Sequence, residues 1–227
     1  MATDARVAIY YAPLSDDPLT TLANAWLGRD PSSGALLTQP GVPQIAEVTA
    51  EPRRYGFHAT LKPPMRLAVG QDWHGLLSAA RTIAATIAPF ELPCLSVQDL
   101  DGFLALRETG PCPALQDLAD ACVERLDAFR APPSPAELER RRRSKMTQAQ
   151  QAMLDRWGYP YVFDTWFFHM TLTRRLTLEE KPVFLPAAEA WLAPALELPR
   201  RVTDLCLFTQ SGSEAPFVIA ERIPLRG

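Results

Sequence analysis

Two short stretches carry nearly the same pattern of reactive side chains. Tyr55-Gly56-Phe57-His58-Ala59-Thr60-Leu61 and Trp166-Phe167-Phe168-His169-Met170-Thr171-Leu172 each read aromatic, His, apolar, Thr, Leu. The chain has 3 histidines, and two of them have a threonine two places on. Alternate side chains of a β-strand share a face. His58 and Thr60 are therefore expected on one face of a strand, and His169 and Thr171 on one face of another. Phe57, Ala59 and Leu61 form the apolar back of the first, and Phe168, Met170 and Leu172 that of the second. An imidazole titrates near neutral pH, so a pair of them can divide into a base and an acid. A threonine hydroxyl can donate to a phosphate oxygen. Two such sets facing each other suit a phosphodiester: one His takes a proton from the attacking oxygen and the other gives one to the leaving oxygen. The two Thr hold the non-bridging oxygens, and no metal or other cofactor is called for.

The elements that must position these groups are marked by proline, which occurs 22 times in 227 residues. Val7 to Tyr11 reads as a first strand. A helix capped by Asp16 or Asp17 follows through Trp26 and Leu27, ending at Gly28. Asp30 to Glu51 reads as a long loop, either a surface excursion or a flap beside the first His-x-Thr strand. That strand is expected over Arg54 to Lys62, stopped by Pro63-Pro64. Leu76 to Ile87 gives an amphipathic helix with His74 at its front, where no threonine follows in phase. Leu92 to Leu100 and Gly102 to Arg107 read as strands, with a hairpin at Asp101-Gly102. Ala114 to Phe129 and Pro135 to Trp157 read as helices, Tyr161 to Thr173 as the second His-x-Thr strand, and Pro186 to Ala195 as a further helix. Val202 to Gln210 and Phe217 to Ile223 close the chain as strands around Ser211-Gly212-Ser213.

The order repeats: a His-x-Thr strand, a helix, Glu-Leu-Pro, then two strands. Pro93 of the first Glu-Leu-Pro follows His58 by 35 residues, and Pro199 of the second follows His169 by 30. A duplicated unit packed about a pseudo-twofold axis brings the two His-Thr faces together across a cleft. We expect one bilobal domain over residues 1–227: a lobe with the first motif over about 1–110, a helical connection over about 111–158 and a lobe with the second motif over about 159–227. The fold class is α+β, with two pseudo-symmetric lobes, each an antiparallel sheet with helices on its outer face, enclosing a central cleft.

These paired His-x-Thr strands resemble the 2H phosphoesterase superfamily. Arg53-Arg54-Tyr55-Gly56-Phe57-His58-Ala59-Thr60-Leu61-Lys62-Pro63-Pro64, with Trp157-Gly158-Tyr159-Pro160-Tyr161 and Phe168-His169-Met170-Thr171-Leu172-Thr173, is similar to a bacterial branch of it labelled for phosphonate metabolism. The likeness runs from Ile9-Tyr10-Tyr11-Ala12-Pro13 to the C-terminus. It implies a metal-independent enzyme with His58 and His169 as general base and general acid. The substrate it implies is a cyclic phosphodiester of a small sugar phosphate or nucleotide. Two alternatives stand beside this: an RNA 2′,3′-cyclic phosphate end-processing enzyme, and a non-catalytic module that binds a phosphate ligand.

Counting along the same faces extends the candidate site. Thr60, Thr171, Lys62 and Arg54 are the expected phosphate-binding residues, with surface charge at strand ends as the other reading of Lys62 and Arg54. Gly56 would leave room for a ligand beside His58. Tyr161, Phe167, Thr173 and Arg143 are the candidate substrate contacts. The run Arg140-Arg141-Arg142-Arg143 with Lys145 reads mainly as a solvated helix that turns one or two side chains into the cleft.

Composition bounds the rest. A formal net charge of −3 argues against a general nucleic-acid coat protein and leaves room for a local basic cleft. The start lacks an apolar leader and no stretch has the length of a membrane span. Cys94, Cys112, Cys122 and Cys206 contain no Cys-x-x-Cys, which suits reduced thiols, a cytoplasmic setting and no zinc site. No membrane partner and a monomer are expected.

Overall fold

The computed structural model describes residues 5–134, 137, 139 and 145–227. In chain order the strands are β1 (Arg6–Tyr11), β2 (Ala59–Met65), β3 (Phe90–Leu92), β4 (Leu95–Leu100), β5 (Phe103–Glu108), β6 (Met170–Arg175), β7 (Arg200–Val202), β8 (Asp204–Gln210) and β9 (Val218–Pro224). The α-helices are α1 (Pro18–Leu27), α2 (Ile45–Val48), α3 (Ala50–Tyr55), α4 (Trp73–Ala84), α5 (Pro113–Arg125), α6 (Gln148–Trp157) and α7 (Lys181–Leu196). Local chemistry sets their ends. Asp17 caps α1 through Leu19 N, Pro18 opens it and Gly28, at φ 81°, closes it. Asp72 caps α4 through Gly75 N, and Thr147 with Gln150 forms a capping box on α6. The hairpin at Asp101-Gly102 turns with positive φ at both residues.

Seven strands make one antiparallel sheet in the order β4-β5-β6-β2-β1-β8-β9, and β3 pairs with β7 in a separate ribbon. One face of the large sheet carries Val7, Ile9, Leu61, Met170, Leu172, Leu104, Leu106, Leu205 and Leu207, all buried in the main core. The other face carries a smaller cluster of Ala8, Tyr10, Ala12, Cys206, Phe208 and Phe217. The fold is α+β, and its two halves, β4-β5-β6 and β2-β1-β8-β9, meet at the pair Ala59↔Met170.

The halves are not the stretches 1–110 and 159–227. β4 and β5 come from the first of these and lie beside β6; β8 and β9 come from the second and lie beside β1. The two Glu-Leu-Pro segments adjoin the β3–β7 ribbon, where Glu91 faces Arg201 in register and pairs with it at 3.1 Å. Three expected elements also change. Arg54 and Tyr55 belong to α3, not to a strand, and part of the expected loop before them is the short helix α2. β2 begins only at Ala59 and continues through Pro63-Pro64, because the register against β1 shifts between Ile9 and Val7 and the extra residue falls where the prolines sit. The second motif strand is Met170–Arg175, preceded by a 3₁₀ turn at Phe163–Thr165. Arg140 to Arg143 lie outside the described residues.

Candidate active site

Each histidine stands one residue before its strand, at the seam of the two halves. Ala59 pairs antiparallel with Met170, both fully buried on the helix side. Continuing that register one residue each way sets His58 opposite Thr171 and Thr60 opposite His169. All four are half-buried on the other face of the sheet. Cross-strand diagonal neighbours such as His58 and His169 lie about 7–8 Å apart at Cα. A single phosphate with hydrogen bonds of about 3 Å spans such a gap.

The two imidazoles are held alike. His58 Nδ1 is 2.9 Å from Gly56 O, and His169 Nδ1 is 3.2 Å from Phe167 O. A carbonyl can only accept, so Nδ1 of each ring carries the proton. Nε2 of the neutral form is left as the base. Thr60 Oγ1 lies 3.4 Å from His58 Nε2. Each ring is also stacked on an aromatic: His58 on Tyr10 at 3.7 Å between centroids, His169 on Phe167 at 4.7 Å. Two indoles brace the strands, with Trp166 Nε1 donating to Thr60 O at 2.9 Å and Trp26 Nε1, from within the core, to Leu172 O at 3.1 Å.

Burial pushes the His58 pKa down to about 4, against the raising effect of the Gly56 carbonyl, and a charged His169 lowers it further. Burial also lowers the pKa of His169; Phe167 O and Glu108 raise it, and Arg107 adds to the lowering. Both rings are therefore neutral in the free protein at pH 7. A bound anion favours the protonated form of either.

A cleft of about 500 Å³ opens beside this quartet, lined by Tyr55, Gly56, His58, Phe103, Thr171 and Arg174 among others. Several expected site residues are elsewhere. Lys62 is 2% exposed, and its Nζ donates to Val123 O at 3.0 Å and lies 3.5 Å from Asp127 Oδ1. The cause is a bulge after Thr60: Tyr10 pairs with Thr60 but Ile9 pairs with Lys62, which turns Lys62 to the helix side. Arg54 sits on α3 with its guanidinium on Ser213 O at 2.6 Å, away from the quartet. Thr173 lies in the cleft wall, but it is 1% exposed and its Oγ1 accepts from Leu104 N at 3.0 Å, so the hydroxyl is already engaged at the β5–β6 bulge. Lys62 and Thr173 stand at matching places, two residues after their threonines; the β2 bulge redirects Lys62, whereas Thr173 stays on the cleft side with its oxygen engaged by Leu104 N. Gly56 is required by its own backbone, at φ 78°: a Cβ there would meet Pro31 Cβ at 2.7 Å. Tyr161 packs edge-on against Phe167 and Tyr159 and reaches the site only through Phe167. Arg143 lies outside the described residues.

Sequence reasoning missed three neighbours of the quartet. Tyr10, read only as part of the first strand, forms the stack under His58. Phe103 meets His169 edge-on at 6.0 Å. Arg107, in the register Ala105↔Thr171 and Leu106↔Met170, falls opposite His169 and lies over the Phe167 ring at 5.3 Å. The available signal was the alternation Phe103, Ala105, Arg107 on one strand face. Among the described residues no group of three His, Cys, Asp or Glu stands close enough to hold a metal ion, and no helix is long and apolar enough to cross a membrane.

Comparison with known proteins adds two kinds of likeness. The chain is 40% identical over 231 residues to the ribose 1,5-bisphosphate phosphokinase PhnN of Janthinobacterium sp. (strain Marseille), covering 98% of this chain and 51% of that protein. It is 36% identical over 214 residues to the protein of the same name from Laribacter hongkongensis (strain HLHK9), covering 93% of this chain and 50% of that one. The chain thus spans about half the length of the curated relatives it matches. Among solved structures, TT0787 of Thermus thermophilus shares the fold, with a TM-score of 0.50, 15% identity and 98% of each chain covered. The family described as "Protein of unknown function (DUF1045)" matches residues 60–218, from the first motif threonine to β9, and the chain belongs to that family.

Proposed function

We propose that this protein is a metal-independent phosphodiesterase that opens the cyclic phosphodiester of a small sugar phosphate or nucleotide. The observation that carries the reading is the pair Ala59↔Met170, whose register gathers two imidazoles and two threonine hydroxyls on one face. The non-bridging oxygens accept from Thr60 and Thr171. The Nε2 of one histidine takes a proton from water as its oxygen bonds to phosphorus. The Nε2 of the other, protonated on binding the anion, gives its proton to the ring oxygen as the P–O bond breaks. The product is a phosphomonoester, and the two histidines exchange protons with solvent to reset. Seating each Nδ1–H on a carbonyl keeps both Nε2 atoms facing the substrate.

The relatives' name supports a sugar substrate. A ribose cyclic phosphate with a second phosphate on the ring opens to a ribose bisphosphate, the class of compound in that name. The resemblance to the branch labelled for phosphonate metabolism points the same way. Phosphorus NMR on a panel of cyclic phosphates, a ribose cyclic phosphate and a 2′,3′-cyclic RNA end among them, tests the reading. We expect new monoester resonances that appear undiminished in EDTA and are lost in His58→Ala. No turnover of any member, or turnover abolished by EDTA and restored by a divalent metal, overturns it. Preference for the RNA end favours end processing.

A further inference from the structure

A second cavity, of about 600 Å³, shares Glu51 and Tyr55 with the catalytic cleft and is lined by Arg6, Arg54 and Arg66. We propose that it is an anion subsite for a phosphomonoester carried by the same substrate, which makes the substrate class a cyclic phosphate bearing a second, remote phosphate. This rests on the phosphodiesterase reading for its substrate and on the cavity for its site.

The placement follows from β1. Arg6 and Tyr10 lie on one face of that strand, and Tyr10 is the ring stacked on His58. Arg6 therefore stands on the catalytic side of the sheet, further along the same strand. Tyr55 links the spaces: it lines both, and its ring stacks on Phe217 at 5.4 Å, while the Arg6 guanidinium lies over Phe217 at 5.4 Å.

The three arginines are not equally committed. Arg66 makes a two-pronged pair with Glu137 at 3.0 and 3.4 Å. Arg54 donates one N–H of its Nη2 to Ser213 O at 2.6 Å and is 3.7 Å from Glu214, whose side chain is 90% exposed; a pair so open to water contributes little, and the remaining N–H groups of Arg54 are left for an anion. Arg6 donates Nε to Gln210 Oε1 at 2.7 Å and has no carboxylate partner among the described residues. The cavity's carboxylates are Glu51, Glu137 and Glu214. Glu137 is held by Arg66, and Glu214 can swing into solvent. An entering phosphate then meets Arg6 and Arg54, which suit its oxygens through paired N–H donors.

Calorimetry with ribose 5-phosphate on the intact chain reads this subsite without turnover. We expect binding to weaken about 10- to 100-fold in R6Q and in R54Q, the loss of one or two hydrogen bonds to a charged group, and to persist in H58A. Circular dichroism and thermal melts confirm that each variant is folded. Kinetics with a ribose cyclic phosphate, with and without a phosphate on its 5-hydroxyl, should show R6Q raising KM at least tenfold more for the 5-phosphorylated compound. Ribose 5-phosphate binding that is lost in H58A but untouched in R6Q and R54Q overturns the proposal, as does an equal KM shift on both substrates. Absence of turnover on both compounds overturns the phosphodiesterase reading instead, and the calorimetry still decides the subsite.

Discussion

At the scale of single residues, the proposed function rests on four side chains and on what fixes their atoms. His58→Ala or His169→Ala should each lower turnover about 10²- to 10⁴-fold, the share of one acid–base group. The double variant should lose less than the product, because the two act as a unit. Thr60→Ala and Thr171→Ala should cost less than either, each removing one hydrogen bond to phosphate. Steady-state kinetics on the cyclic phosphate found by NMR checks all five variants. Lys62 gives a contrasting case. Its buried amine has a pKa lowered to about 8, chiefly by burial, with Asp127 opposing the shift. Lys62→Met should leave KM within about twofold, while stability changes by about 1–3 kcal/mol, since Val123 O and Asp127 lose their donor. A large rise in KM at unchanged stability would return Lys62 to the phosphate.

At the scale of elements, the segment between α3 and β2 presents the first histidine. α3 ends at Gly56 with positive φ, and the carbonyl of that glycine receives His58 Nδ1–H. Arg29 ties the same segment down by donating to Arg53 O, Arg54 O and Phe217 O. Gly56→Ala should destabilise the fold by about 1–3 kcal/mol, because a side chain at that φ is strained and meets Pro31. It should also lower kcat by displacing the carbonyl that orients His58. Urea denaturation alongside kinetics checks both, and wild-type values for each would show that the turn tolerates a side chain. Bulges are the second device at this scale. The one after Thr60 ends the polar face of the first motif strand, and the irregularity on β6 lets Thr173, still in the cleft wall, accept from Leu104 N.

At the scale of the whole molecule, burial of both imidazoles under the joined sheet sets the pH behaviour. The folded pKa of His58 lies near 4, below the ordinary 6.5, so between these values the unfolded chain takes up a proton that the folded one refuses. Stability from this source is present above pH 6.5 and is lost as pH falls toward 4. Calorimetric Tm values should decline over that window, and less steeply in His58→Ala; equal slopes would contradict the burial of the ring. Activity should be bell-shaped, with limbs that belong to the pair. Because both free-protein pKa values are lowered, the optimum of kcat/KM should lie below about pH 6.5. The optimum of kcat should lie higher, since the bound anion favours protonation. An optimum of kcat/KM near about pH 8 would refute this.

What the sequence alone determined is local and periodic. The His-x-Thr spacing, the apolar backs of the two strands, the Asp17 and Gly28 ends of α1 and the Asp101-Gly102 hairpin all follow from chemistry within a few residues. The quartet was legible because the period of a strand holds over three residues whatever the strand pairs with. Tertiary structure decided the rest, since pairing is non-local. Which strands flank each motif is set by burial across the whole chain, and the result exchanges β4 and β5 against β8 and β9. Bulges appear only when two strands are paired, and the one after Thr60 turned Lys62 away from the position that unbroken alternation assigns. Arg54 left the site because Arg29, distant in sequence, donates to Arg53 O and Arg54 O and holds the chain in a helix that ends at Gly56 with positive φ before His58. Tyr10 and Arg107 entered it because β1 and β5 flank the two motif strands, a neighbourhood that no local pattern encodes.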